Sequence, residues 1–164
     1  RGVLLDMTRQ LSDLPGVKET GMLPTGTAFN YDEIKAAAKA QRVKIGKGDV
    51  VLFHTGWLKN SDTAPQEFMA GEPGLGVDGA KYLASLDVMA VGADNWALEV
   101  LPGEIEGELF PVHPELLAKN GIYILENMNT HELQADEAWE FMFVLGQPKF
   151  EGAVQAVINP VAIR

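Results

Sequence analysis

Two side chains in the stretch FPVHPELLAKNGIYILENMN (residues 110–129) could do chemistry together: His113, ahead of a short helix, and Glu126, at the end of the next apolar strand. Imidazole and carboxylate are the groups from which proton transfer and divalent-metal binding are commonly built. Side chains alternate along a strand, so Ile122, Ile124 and Glu126 share one face, and Tyr123 and Leu125 take the other. If the isoleucine face is buried, Glu126 points along a core-facing line, where an uncompensated carboxylate is strongly unfavourable. The plainer alternative is that the strand has already ended, leaving Glu126 wet or accepting loop N–H groups. His113 precedes Pro114, a residue suited to a first helical turn, so a satisfied turn histidine is its plainer reading. One short helix and a return strand join the two positions, a span that can bring both side chains to the same sheet edge. A pair is still not a complete site, because a catalytic zinc takes three protein ligands and a water.

Other candidates are weaker. Ligands of α/β folds gather at the carboxyl ends of the strands, and those ends carry Asp6, His54 and Asp94 besides Glu126. His54 continues an apolar strand and reads as structural, while His131 sits at a helix start and reads as exposed. Trp57, Trp96 and Trp139 belong to core or pocket wall, with Trp96 the best pocket candidate because it follows a strand end, and Asp94, which ends that strand, is expected to border the pocket with it. The glycine-rich Gly71–Gly76 matches no nucleotide fingerprint, and no G-x-S-x-G supports serine hydrolase chemistry. With no cysteine in the chain, thiol catalysis, disulfides and Cys-based zinc sites are all excluded. Any metal must be held by His, Asp, Glu, backbone or water.

The elements that would position these residues alternate in type. Gly2–Asp6 is a strand, residues 7–29 read as irregular, and Asn30 caps a helix over NYDEIKAAAKAQR with Asp32 and Glu33 in its first turn. A strand over Val50–His54 follows, then a loop over residues 59–76, a helix starting near Val77 or Asp78, and a strand over Val88–Asp94. Glu99, Glu104, Glu106 and Glu108 fall in a long acidic loop. A helix over Pro114–Lys119, stopped by Gly121, leads to the strand Ile122–Glu126, and WEFMFVLGQ and AVQAVINPVAI supply two late strands. Strands alternating with helices, then two strands in succession, indicate a single α/β domain over residues 1–164 with a mixed sheet.

A net charge of −10 with scattered basic residues excludes nucleic acid as the main partner, since a phosphate backbone demands clustered Lys and Arg. No stretch approaches the ~20 apolar residues of a membrane helix, so no membrane partner is expected. A reducing cytoplasm is compatible with the absence of cysteine and is the expected location. The chain opens on Arg1 and enters an apolar run with no preceding turn, so further sequence upstream is expected.

Four segments in order, KGDVVLFHTGW, GLGVDGAKYLASLDVMAVGADN, VHPELLAKNGIYILENMN and FEGAVQAVINPVAI, resemble the C-terminal two-thirds of the cyclase family of metal-dependent hydrolases, the family of bacterial kynurenine formamidase and isatin hydrolase. The resemblance runs over nearly the whole chain. It implies a swivelling β/β/α fold, a homodimer, a small-molecule substrate, and hydrolysis of a cyclic or N-formyl amide by water on a zinc or manganese ion. It also implies that His113 and Glu126 serve at the metal site, with His113 either a ligand or a neighbouring acid/base. The family's main metal motif, His-x-Gly-Thr-His-x-Asp-x-Pro-x-His, lies upstream of the segment matching RGVLLD and is not in this sequence. The chain is therefore expected to lack the N-terminal strands and to be inactive by itself, or to act as a silent binding or structural module.

Overall fold

The computed structural model describes residues 1–164. Its centre is a six-stranded sheet of β1 (Gly2–Asp6), β3 (Val50–His54), β5 (Ala90–Ala93), β6 (Tyr123–Leu125), β7 (Glu140–Val144) and β8 (Val161–Ile163), in the order β6-β5-β3-β1-β7-β8. The first four pair in parallel, while β7 runs antiparallel to β1 and β8 antiparallel to β7. A mixed sheet in an α/β chain is what the element order predicts.

Burial on both faces explains why β1, β3 and β5 read as continuous apolar runs. Alternation sends Val3, Leu5, Val51, Phe53, Val91 and Ala93 into one core, and Leu4, Val50, Leu52 and Ala90 into the other. The first core is covered by α1 (Tyr31–Gln41) through Ile34 and Ala37, and by α2 (Val77–Ser85) through Ala80 and Leu83. The second core is closed by Leu125, Met128, Leu133 and Phe141. No helix is long and apolar enough to cross a membrane.

Asn30 is the N-cap of α1, as expected, and also reaches a second helix. Its backbone N–H donates to Glu33 (2.8 Å), and its side-chain oxygen accepts from the Gly79 N–H (2.9 Å), so one residue ties α1 to the first turn of α2. Residues 7–29 and 59–76 are also more ordered than their Gly and Pro content predicts. They hold the short helices Met7–Gln10, Val17–Thr20, Asn60–Thr63 and Pro65–Ala70, and the strands β2 (Ala28–Phe29) and β4 (Gly74–Leu75), which pair in parallel as a second small sheet. Helices of one to two turns and strands of two residues are too short to leave a period in the sequence. At the other end, only Val161–Ile163 of the last expected strand joins the sheet.

Burial sorts the leucines by energetic weight. Leu83 is fully buried in the first core and Leu117 is exposed. Leu83→Ala is expected to cost about 2–5 kcal/mol and Leu117→Ala under about 0.5 kcal/mol, measured as the shift in urea unfolding free energy.

Candidate functional site: a carboxylate-clamped histidine

His113 and Glu126 meet. The imidazole Nε2 of His113 lies 3.5 Å from the Glu126 carboxylate, and each side chain is 27% exposed, so the pair faces solvent from one side. Glu126 follows the last residue of β6 and precedes Asn127, whose backbone is left-handed (φ 54°). Backbone bonds from Asn127 N to Asn95 O (2.8 Å) and from Met128 N to Ala93 O (2.9 Å) pin this stretch to the end of β5. His113 enters the π-helical turn Pro114–Lys119, anchored by the fully buried Leu116.

The residue that organises the pair is Glu99. It is 1% exposed, and its oxygens accept the backbone N–H of Val112 (3.0 Å), the backbone N–H of His113 (3.2 Å) and the His113 Nδ1–H (2.5 Å). An ionised carboxylate only accepts, so the proton of this last bond sits on Nδ1. In the neutral ring Nε2 is then a lone pair facing a second carboxylate, an arrangement that calls for a positive charge between them. A proton meets that need: Glu126 first and Glu99 second push the His113 pKa up to about 9, against partial burial, which lowers it.

A divalent ion meets it equally well. Two donors each about 2.1 Å from a tetrahedral ion stand about 3.4 Å apart, which matches the observed Nε2–carboxylate separation. The donor chemistry, neutral imidazole and carboxylate, suits zinc and manganese alike. The structure thus fits two ligands of such an ion, and no cluster of three or more metal-holding side chains is assembled.

The other expected pocket residues are placed differently from one another. Trp96 stands beside the pair: its ring meets Phe110 edge-on (6.3 Å between centroids), and Phe110 meets the His113 ring in the same way (5.4 Å). Asp94, expected at the pocket wall, is instead 2% exposed and spends its oxygens on the Thr55 N–H (2.7 Å), the Thr55 hydroxyl (2.6 Å) and the Gly56 N–H (2.8 Å). Burial pushes its carboxyl up, opposed by His54 and these donors. His54 is buried as expected, its Nδ1 within 2.8 Å of the Thr130 hydroxyl and 3.3 Å of Asp94.

Sequence reasoning missed two carboxylates. Glu99 reads as one of four acids in a long acidic loop, yet its neighbours Ala97, Leu98, Val100 and Leu101 are apolar, the one signal that it is buried. Glu72 is 0% exposed and accepts the N–H groups of Trp96 (2.8 Å) and Ala97 (3.0 Å). Burial pushes its carboxyl up to about 8, with Glu126 and Asp94 adding repulsion and the two N–H bonds opposing. Nothing in the sequence marks it beyond the tight Gly and Pro residues around it.

The family model described as "Putative cyclase" matches residues 1–100, and the chain belongs to that family. Among solved structures, one described as a novel cyclase superposes with a TM-score of 0.84 at 29% identity, covering 99% of this chain and 52% of that one. An isatin hydrolase bound to the product analogue thioisatinate gives 0.72 at 23% identity, covering 98% and 58%. A Bacillus stearothermophilus protein described as a predicted metal-dependent hydrolase gives 0.64 at 21%, covering 98% and 61%. No curated protein matches the chain. The mixed-sheet, cyclase-like fold is thereby established, and the chain spans a little over half the length of these solved relatives.

The raised His113 pKa has a sign that can be checked. With its pKa near 9 in the fold, His113 contributes stability in full below its unfolded value of about 6.5 and loses it as pH rises through about 9. Metal-free protein is therefore expected to lose more stability between pH 6.5 and pH 9 than its His113→Asn variant does. Urea midpoints of both proteins at the two pH values check this.

Proposed function

We propose that the protein is a metal-dependent hydrolase of a small-molecule amide, cyclic or N-formyl in type, working as a homodimer with a zinc or manganese ion. One observation carries the reading: His113 is clamped at Nδ1 by buried Glu99, so that Nε2 faces Glu126 at a separation suited to a shared ion. Two similar solved structures, described as an isatin hydrolase and a predicted metal-dependent hydrolase, support the hydrolytic part of this reading.

In this reading Nε2 of His113 and the carboxylate of Glu126 would hold the ion, which would lower the pKa of a water and offer positive charge to a carbonyl oxygen. Glu99 fixes the ring and its tautomer, so the lone pair points outward without rearrangement. If His113 stands beside the ion as a neighbour, the same Nε2 is in place to accept and return a proton. The rings of Phe110 and Trp96 line the His113 side, and Asp94 holds the loop after β3 beneath it.

A second reading, a binding module without turnover, draws on the finding that His113 and Glu126 are joined by no third metal-holding side chain. Metal analysis separates the two. Under the hydrolase reading, Glu126→Ala removes stoichiometric zinc or manganese from the purified protein. Glu99→Gln, which leaves both donors in place, weakens metal affinity about 10–100-fold. Unchanged metal content and affinity in both variants would refute the hydrolase reading.

A further inference from the structure

Glu72 takes no part in the chemistry proposed above, yet it is a fully buried carboxylate in a neighbourhood that already holds Asp94 and Glu126. Its two oxygens divide their work, one taking the N–H of Trp96 and the other that of Ala97. Its own backbone is paired in both directions with Leu101, at 2.9 and 3.0 Å. The adjoining residues grip the same segment. The Asn95 amide donates to Pro73 O (2.7 Å) and to Leu98 O (3.3 Å), while its oxygen accepts from Leu98 N (3.0 Å). Gly74 lies so close that an added Cβ would stand 2.4 Å from the carbonyl carbon of Glu99.

We propose that Glu72 is a positioning residue: by receiving two successive backbone N–H groups, it holds the turn from Asn95 to Glu99 in the shape that presents Glu99 to His113. Both routes from this turn end on the same imidazole. Glu99 reaches it through the Nδ1 bond, and Trp96 reaches it through the ring of Phe110. The residue type follows from the task. A buried amide would suffer less from burial, but it offers one acceptor where two N–H groups converge and turns an NH2 toward the other. Both oxygens of a carboxyl group carry acceptor lone pairs, so Glu72 serves the two N–H groups at once, and these bonds oppose the upward push of burial on its pKa.

The catalytic meaning of this role rests on the hydrolase reading; the claim about position does not, and NMR on the metal-free whole protein tests it without turnover. In the parent, the Trp96 and Ala97 amides are expected to exchange slowly and the His113 Nδ1 proton to give a single, strongly deshielded resonance. Glu72→Gln is expected to speed exchange of those two amides by at least about 10-fold and to abolish the deshielded resonance, as Glu99→Gln does, while the amides of β1 and β3 keep their protection. An unchanged His113 resonance in folded Glu72→Gln protein overturns the proposal. Should that variant fail to fold, the parent decides: slow exchange at both amides supports the proposal and fast exchange at either overturns it. Absence of amide hydrolysis by the parent, with these NMR results intact, removes the hydrolase reading and leaves the role of Glu72 standing.

Discussion

The site depends on one buried negative charge, that of Glu99. A carboxylate withdrawn from water is tolerated only when donors replace its hydration. Here the donors are two successive backbone N–H groups and an imidazole N–H, all from the entry to one helical turn. Satisfying the charge therefore fixes the direction of that turn, the rotation of the His113 ring and its tautomer in one stroke. What remains is Nε2 facing Glu126, and in the metal-free fold a proton is held between them. The orientation of the pair comes from the way its far side is held.

Strand ends supply the rest, and they do not all serve the same end. Asp6 accepts from Thr8, from the Arg9 backbone and from Gln134, which staples the chain after β1. Asp94 does the same for the loop after β3. Both lie beneath loops with spare N–H groups, and a buried carboxylate there closes a turn. Glu126 emerges at β6, an edge strand whose Tyr123 is itself exposed, so its carboxylate keeps access to solvent. Topology thus separates acids that look alike in sequence into fasteners and a ligand candidate.

Much of the fold was legible from local pattern. Uninterrupted apolar runs at β1, β3 and β5, the alanine-rich helix after Asn30 and the order of elements each reflect short-range rules of alternation and propensity. The short helices and two-residue strands between residues 7 and 29 and between 59 and 76 were illegible, because contacts with distant segments form them. The β2–β4 pair joins residues more than forty positions apart. Likewise the strand face that was to aim Glu126 ends a residue early, and its orientation is set by backbone bonds to Ala93 and Asn95.

By itself, the sequence determined the types of the two groups that meet, histidine and glutamate, their places at the ends of neighbouring elements, and the family to which the order of segments belongs. Only the tertiary structure decided which other acids matter. Glu72 and Glu99 were anonymous among twenty-three acidic residues, because burial of a carboxylate is a property of everything packed around it. Their donors come from residues 13 to 25 positions away, a distance no local pattern can encode.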